Sequence, residues 1–221
     1  MTAIVFDLDG TLIDSAPDLH AAGLKMLEAA GLPSVTLNQT RSFIGNGLPK
    51  LVERLARAAG EEPDANRTAE LLASFRGFYD AEPALRTTVY PGASEALRSL
   101  AEAGCGLGIC TNKPEAPARA ILEVFGLADI FSVVVGGDTL PVKKPNPAPL
   151  ELAYQQLEPA YRIFVGDSEV DAETAARAEV AFVLFTHGYR KSPVAEIHHD
   201  RAFSQHSELF GHVNDLRNRV A

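Results

Sequence analysis

The sequence predicts an α/β fold in which a parallel sheet forms the core and a helical segment is inserted near the N-terminus. Short apolar stretches such as "AIVF" at residues 3–6 lack the polar alternation of half-exposed strands, so they are typical of strands covered on both faces. Such stretches alternate with segments of helical length along most of the chain, which indicates right-handed crossovers in a parallel sheet. This alternation is interrupted between about residues 15 and 84.

The first predicted strand leads into a region that has only helical patterns. The stretch 15–32 is predicted to be a helix that ends at Gly31. Two more helical stretches, 47–60 and 67–81, follow without a convincing strand. We therefore predict that residues 15–84 form a helical insert.

Strands and helices alternate again in the rest of the chain. From residue 87 onwards, the predicted elements are "TTVYPGASEALRSLAEAG", "CGLGICT", "PEAPARAILEVFGL", "IFSVVVGG", "APLELAYQQL", "RIFVGD", "DAETAARAEV" and "AFVLF". Residues 1–14 and 85–221 are therefore predicted to form a Rossmann-like parallel sheet core. The polar run "KSPVAEIHHDRAF" near the C-terminus is predicted to be a loop.

Composition and charge limit the class of partner and the compartment. Of the 221 residues 46% are hydrophobic, which suffices for a core, and the formal net charge of −9 opposes binding to nucleic acid or to an anionic membrane. Cys105 and Cys110 fall on one predicted strand, where they cannot approach each other for a disulfide. No segment has the pattern of a signal peptide or of a membrane span. We therefore expect a cytoplasmic protein with free thiols.

Two carboxylates directly follow the first predicted strand. Asp7 and Asp9 lie two residues apart in "FDLDGT". Ligands of open parallel sheets bind beside the carboxyl ends of the strands, so this is a position where chemistry is expected. Two close carboxylates repel each other, so either one of them stays protonated or a cation lies between them.

Polar residues also follow three later predicted strands. Thr111 and Asn112 follow "GLGIC", and Lys144 follows "VVVGGDTLPVK". Asp167 and Asp171 follow "RIFV". All of them are predicted to meet the first two carboxylates at one edge of the sheet. A simple helix N-cap is an alternative explanation for Thr111 and Asn112, and a helix N-terminal acid is one for Asp171.

The four segments "DLDGT", "CTN", "KKP" and "GDSEVD" occur in this order and resemble the four motifs of the haloacid dehalogenase superfamily, whose members are mostly phosphotransferases. The match extends over essentially the whole chain. It implies that Asp7 is a catalytic nucleophile and that Asp9 is a general acid and base. Lys144 is implied as the cation at the phosphoryl group, because the lysine of the motif directly precedes proline, which leaves Lys143 as a solvated neighbour.

The resemblance also implies a Mg²⁺ site made of oxygen ligands. The Asp7 carboxylate, the Asp9 backbone carbonyl and Asp167 are the implied ligands, with room for water molecules. Asp171 has a supporting role, in which it orients the waters of the metal or Lys144. The cation resolves the repulsion between the clustered carboxylates.

Further segments in both the insert and the core resemble those of bacterial phosphoglycolate phosphatases, namely "DSAPDL", "IGNG", "VYPGASEAL", "TNKP", and "GGD" followed by "KP". The implied partner is a small phosphorylated metabolite, 2-phosphoglycolate, and the implied role of the insert is that of a cap that selects the substrate. His20 departs from the pattern, since the family usually has a small apolar residue there. The predicted substrate- and phosphate-binding residues are Thr111, Asn112, Lys113, Gly45, Asn46 and Gly47.

Other functions share parts of this pattern. A phosphosugar phosphatase or a phosphomutase has the same core and cap, and a non-catalytic binding protein can be built on the same fold. A binding protein is expected to lack Asp7 or Asp9, and this chain has both. A dehalogenase is disfavoured, because halide leaves without a proton and has no need of the acid at Asp9.

Overall fold

The computed structural model, which describes residues 1–81 and 84–218, contains a six-stranded parallel sheet. The strands of these residues are, in chain order, β1 (Thr2–Phe6), β2 (Ile13–Asp14), β3 (Thr88–Val89), β4 (Gly106–Cys110), β5 (Val133–Val135), β6 (Tyr161–Gly166), β7 (Ala181–Phe185) and β8 (Arg201–Phe203). The large sheet has the spatial order β5-β4-β1-β6-β7-β8, and its neighbouring strands are parallel. Strands β2 and β3 pair with each other. The predicted α/β fold with a parallel sheet is confirmed.

The apolar sequence of β1 is explained by its central place in this sheet. All five residues of β1 are buried. Its Ile4 lies beside Leu107 of β4 on one side and beside Ile163 of β6 on the other. A strand with neighbours on both sides and packing on both faces has no exposed positions, and its apolar residues therefore do not alternate with polar ones.

Nine helices occur in the described residues, and they belong to two compact units of the chain. One unit comprises Met1–Asp14 and Val89–Ala221, and the other comprises Ser15–Thr88. The helices are α1 (Ala16–Ala29), α2 (Leu37–Phe43), α3 (Leu48–Ala58), α4 (Ala65–Ala81), α5 (Ala93–Glu102), α6 (Glu115–Val124), α7 (Ala148–Leu157), α8 (Glu169–Arg177) and α9 (Leu209–Asn218). The first four belong to the inserted unit and the other five to the sheet unit.

The inserted unit is closed by contacts between its first helix and its last residues. Helix α1 is followed by Gly31, which has a positive φ of 71° and donates its N–H to the Glu28 carbonyl oxygen, as expected for the predicted helix end. The buried Asp18 of α1 accepts hydrogen bonds at Oδ2 from the Thr87 backbone N–H and hydroxyl, both at 2.7 Å. These bonds join α1 to residue 87, near the point where the chain leaves the unit.

Helix α2 was not predicted, although the sequence carries a signal for it. Thr36 and Gln39 form a capping box, in which the Gln39 N–H donates to the Thr36 hydroxyl and the Thr36 N–H donates to the Gln39 side chain. Only Thr40 is buried among the residues of the helix. Hydrophobic periodicity therefore does not reveal a helix that presents so little apolar surface to its surroundings.

The prediction that the run "KSPVAEIHHDRAF" is a loop is wrong at its C-terminal end. Its last three residues form β8, the edge strand that pairs with β7. The strand is short and only Phe203 is buried, which is why its sequence looks polar. Helix α9, which follows, was not predicted either.

The cysteines and the hydropathy of the helices bear on two expectations drawn from composition. Cys105 and Cys110 are free thiols, as predicted. Among residues 1–81 and 84–218, no helix combines the length and the hydropathy that a bilayer crossing requires.

Candidate active site

The carboxyl end of β1 places Asp7 at the edge of the sheet. The Asp7 N–H donates to the Val165 carbonyl oxygen at 2.8 Å, which continues the pairing of β1 with β6 by one residue. A turn follows at Gly10, whose N–H donates to the Ile13 carbonyl oxygen at 2.8 Å and whose φ is +92°. A Cβ atom at Gly10 would lie 2.6 Å from Asp167 Oδ2, so both the backbone conformation and the close approach require glycine here.

Lys144 is the buried cation of this edge. Its Nζ lies 2.8 Å from Asp7 Oδ1 and 2.6 Å from Asp171 Oδ1, and only 2% of its side chain is exposed. Burial alone would lower the pKa of Lys144, but the carboxylates of Asp171 and Asp7 raise it above the ordinary lysine value. The ammonium group is therefore charged at neutral pH. The neighbouring Lys143 is exposed, in agreement with the choice of Lys144 from the motif.

The Asn112 side chain holds the backbone of Lys144. Its Nδ2 donates to the Lys144 carbonyl oxygen and its Oδ1 accepts from the Lys144 N–H, both at 3.0 Å. Asn112 was predicted to bind phosphate, and in the structure its amide instead fixes the loop that carries the lysine. A phosphate contact of Asn112 stays a prediction.

Thr111 is buried at the end of β4, where its N–H donates to the Val135 carbonyl oxygen. Its hydroxyl oxygen accepts a hydrogen bond from the Lys113 N–H at 3.2 Å. The alternative of a helix N-cap is wrong for Thr111 and Asn112, because the N-cap of α6 is Pro114. The position of Thr111 is thus explained by the strand end and not by the helix.

Lys113 forms an ion pair with Asp9. Its Nζ lies 3.2 Å from Asp9 Oδ1 and 3.3 Å from Asp9 Oδ2, and 2% of the lysine side chain is exposed. Sequence reasoning gave Lys113 a role only toward the substrate. The structure adds a role toward Asp9, since a cation bonded to both carboxylate oxygens fixes the direction in which that carboxylate points.

Three carboxylates lie close together near Lys144. Asp7, Asp167 and Asp171 are all buried, and one oxygen of each lies within 4.8 Å of the others. Asp167 accepts a hydrogen bond from the Thr11 hydroxyl at Oδ1 (2.9 Å) and from the Tyr189 N–H at Oδ2 (2.5 Å). The side chains therefore meet at one sheet edge, as the strand ends predicted.

Asp171 is the most fully bonded of the three. Its Oδ1 accepts from Lys144 Nζ, and its Oδ2 accepts from the Ser168 hydroxyl at 2.6 Å and from two backbone N–H groups, those of Ser168 and Asp167. Ser168 and Asp171 also form the capping box of α8. Both explanations given for Asp171 thus apply together, since it stabilises the helix start and orients Lys144.

The electrostatics of the cluster favour a bound cation. Burial raises the pKa of the Asp7 carboxyl to about 6 against the opposing effect of Lys144, with Asp171 acting in the same direction as burial. Burial, together with Asp171 and Asp7, also raises the pKa of Asp167. Three buried carboxylates face one ammonium group, so their full ionisation leaves an excess of negative charge. Asp7 and Asp167, whose oxygens keep further acceptor capacity, are the side chains best suited to hold a divalent ion.

The predicted substrate residues of the insert lie between α2 and α3. Gly45 and Gly47 have positive φ angles of 111° and 83°, and Gly47 is the N-cap residue of α3. In the same unit, the His20 Nδ1 atom lies 3.0 Å from the Thr40 hydroxyl oxygen, which joins α1 to α2. Substrate binding by Gly45, Asn46 and Gly47 stays a prediction.

Sequence reasoning missed one segment of the site, the residues that follow β7. The sequence gives no role to Tyr189, which lies in the segment "THGYR". The signal was available, because the carboxyl end of every strand in a parallel sheet lies at the same edge, and β7 is the neighbour of β6.

The comparisons with known proteins agree with this geometry. Residues 1–179 match the model of the haloacid dehalogenase-like hydrolases. A phosphoglycolate phosphatase of Cereibacter sphaeroides is 51% identical over 95% of this chain and 96% of its own, and one of Rhodobacter capsulatus is 43% identical over 96% of both. The crystal structure of a predicted phosphoglycolate phosphatase from Haemophilus somnus superimposes with a TM-score of 0.89, at 32% identity, over 96% of this chain and 97% of its own. The chain therefore belongs to the haloacid dehalogenase-like hydrolase family.

Proposed function

We propose that this protein is a Mg²⁺-dependent phosphatase that hydrolyses 2-phosphoglycolate to glycolate and phosphate. The observation that carries the reaction type is the buried Asp7 carboxylate beside Lys144, with Asp9 two residues further on. The substrate is supported by relatives named phosphoglycolate phosphatase that are 43% and 51% identical over nearly the whole chain. We further propose a cytoplasmic location.

Asp7 acts as the nucleophile in the proposed reaction. One of its carboxylate oxygens attacks phosphorus, a bond from Asp7 to phosphorus forms, and the bond from phosphorus to the glycolate oxygen breaks. Asp9 gives its proton to that leaving oxygen. Asp9 then takes a proton from the water molecule that attacks the aspartyl phosphate, which releases phosphate and restores both residues.

Lys144 and Lys113 prepare these two aspartates for the reaction. Lys144 Nζ contacts Asp7 Oδ1 and places a positive charge next to the phosphoryl group that Asp7 receives. Lys113 Nζ contacts both Asp9 oxygens. The glycolate carboxylate is the second proposed partner of Lys113.

The fit of the acidic cluster to Mg²⁺ follows from its donor set. Carboxylate oxygens are the ligands that Mg²⁺ prefers, and the oxygens of Asp7 and Asp167 lie close enough to share one ion. When bound, Mg²⁺ neutralises negative charge on these carboxylates and on the transferring phosphoryl group. The Asp9 backbone carbonyl is a further proposed ligand, and Asp171 keeps its supporting role.

We also propose that residues 15–84 act as a cap that selects the substrate. The support for this role is the sequence resemblance and the presence of a separate helical unit at Ser15–Thr88. Gly45, Asn46 and Gly47 are the proposed substrate contacts in the cap, because they lie at the start of α3 and the N-terminus of a helix favours an anion.

The proposed substrate is tested with a panel of phosphomonoesters. We expect kcat/KM for 2-phosphoglycolate to exceed that for hexose phosphates and nucleotides by at least about tenfold, because Lys113 is proposed as a charge partner for a carboxylate that hexose phosphates and nucleotides lack. Phosphate release is measured with Mg²⁺ and with a chelator, and activity should disappear in the chelator. A hexose phosphate or nucleotide that clearly outperforms phosphoglycolate would overturn the substrate, and full activity in chelator would overturn the metal requirement.

Metal binding should weaken in acid. With a pKa of about 6, the Asp7 carboxyl is largely ionised at about pH 7.5 and about one quarter ionised at about pH 5.5. Protons then compete with the metal for this ligand, so we expect the Kd of Mg²⁺ to rise about fourfold or more over this range. Isothermal titration of the substrate-free protein at both pH values measures the change. Equal affinities at the two pH values would contradict this prediction.

A further inference from the structure

We infer that residues 186–192, which we name the β7 loop, position Asp167 and thereby set the affinity of the acidic cluster for its divalent cation. The inference rests on the proposed metal dependence. It gives a role to the segment "THGYR", which the reaction described above does not use. Its support consists of the contacts that hold the Asp167 carboxylate and of the contacts that attach the β7 loop to its surroundings.

The first group fixes the carboxylate of Asp167 from two sides. The Tyr189 N–H donates to Oδ2 at 2.5 Å, and the Thr11 hydroxyl donates to Oδ1 at 2.9 Å. The residue is 1% exposed, so water does not compete strongly for these bonds. A carboxylate with one donor on each oxygen cannot rotate freely, while each oxygen keeps acceptor capacity for a metal ion. The two donors therefore fix the direction in which Asp167 presents its oxygens.

The second observation is that the β7 loop packs directly against this carboxylate at Gly188. A Cβ atom built on Gly188 would lie 2.3 Å from both Cβ and Oδ2 of Asp167. Any side chain at this position must therefore displace Asp167. The backbone of Gly188 does not have the positive φ that favours glycine, so the requirement here is for space alone.

The third group of contacts makes the β7 loop a rigid support. Glu169 Oε1 accepts from the backbone N–H groups of Lys191 and Ser192, at 2.7 and 2.5 Å. The Arg190 side chain donates to the carbonyl oxygens of Thr186 and Ser192 at 3.1 and 2.8 Å, which joins the two ends of the loop.

The tyrosine side chain adds an attachment on the opposite side of the loop. The Tyr189 hydroxyl donates to Asp14 Oδ1 at 2.7 Å, and the residue is 7% exposed. The loop is thus attached at β2 through Asp14 and at the start of α8 through Glu169. Groups that orient the ligands of a metal typically contribute about 10- to 100-fold to its affinity, and the β7 loop is placed to make such a contribution.

The test compares two glycine substitutions in the full chain. Gly188→Ala introduces the Cβ that displaces Asp167, and we expect the Kd of Mg²⁺ to rise about 10- to 100-fold. Gly211→Ala is the matched control, because Gly211 lies in α9 and its Cβ would meet nothing within 4 Å. The control should bind Mg²⁺ as the wild type does. Affinity is measured by isothermal titration with Mg²⁺ and by the electron paramagnetic resonance signal of free Mn²⁺, without substrate, and folding is followed by thermal unfolding.

A second variant decides the question if Gly188→Ala does not fold. Tyr189→Phe keeps the ring of the buried Tyr189 and removes the hydroxyl that attaches the β7 loop to Asp14 Oδ1. We expect the Kd of Mg²⁺ to rise at least severalfold in this variant too. Wild-type affinity in a folded Gly188→Ala protein would overturn the inference, and so would wild-type affinity in Tyr189→Phe if Gly188→Ala is unfolded. A wild-type protein that binds neither Mg²⁺ nor Mn²⁺ would also overturn it.

These outcomes are separate from those of the proposed function. Both titrations are made without substrate, so a protein that binds Mg²⁺ through the β7 loop but does not hydrolyse phosphoglycolate would refute the function and leave the inference standing. If the wild-type protein hydrolyses phosphoglycolate but Gly188→Ala binds Mg²⁺ as tightly as the wild type, the inference is refuted and the proposed function stands.

Discussion

Asp7→Asn abolishes turnover of phosphoglycolate while the fold stays intact, with an expected fall in kcat of at least about 10⁴-fold. The amide of asparagine cannot form the acyl phosphate, and the remaining residues cannot supply another nucleophile at the same place. The fold should tolerate the change, because asparagine has the size of aspartate and burial already disfavours the charged form of Asp7, whose pKa it raises to about 6. Lys144 keeps its other partner, Asp171, at 2.6 Å.

The measurement is phosphate release at saturating substrate and Mg²⁺, with thermal unfolding to verify the fold. Asp129→Asn is the matched control, since Asp129 is an exposed aspartate in the turn after α6 and should leave kcat unchanged. A folded Asp7→Asn protein with a rate near that of the wild type would show that Asp7 is not the nucleophile.

Asp9→Asn is expected to slow the hydrolysis of phosphoglycolate by about 10²- to 10⁴-fold, the usual contribution of a general acid and base. An alkyl phosphate such as phosphoglycolate has a poor leaving group, so it depends on the proton that Asp9 supplies. The aryl group of an activated aryl phosphate leaves as an aryloxide without a proton. Asp9→Asn should therefore slow the first step of this substrate by a smaller factor. Both substrates are compared by kcat/KM, which reports that step.

The prediction for Asp9 is contradicted if the aryl and the alkyl phosphate lose kcat/KM by the same factor. Such a result would leave Asp9 with a role in binding or in charge balance. Lys113 would be the partner of Asp9 in such a charge balance, because its ammonium group lies 3.2 and 3.3 Å from the two Asp9 carboxylate oxygens.

The parts of the fold that could be predicted from sequence are those in which burial follows a simple period. Strand β1 is buried along its whole length and so appears as an apolar run. Helix α3 buries one side, with Leu48, Leu51, Val52 and Leu55 at helical spacing, and it begins within one residue of the predicted stretch. Helix α2 and strand β8 bury one residue each, so their sequences resemble loops. The capping box at Thr36 was the one local signal for α2.

The candidate site was predictable as a set of residues but not as a set of bonds. The strand ends brought Asp7, Lys144, Asp167 and Asp171 to one edge, because parallel strands share the direction of their carboxyl ends. The direction of each side chain depends on contacts distant in sequence, such as the bond between Asn112 and the Lys144 backbone, 32 residues apart. Contacts between residues so distant in sequence produce no periodic pattern in a single sequence.

The nucleophilic role of Asp7 is tested most directly by the stereochemical course of the reaction. A phosphorothioate analogue of phosphoglycolate, made chiral at phosphorus with two oxygen isotopes, is hydrolysed in water enriched in the third. Each in-line displacement inverts phosphorus, so attack by Asp7 followed by attack of water on the aspartyl phosphate predicts overall retention. Overall inversion would mean that water attacks the substrate directly and would contradict the covalent role of Asp7.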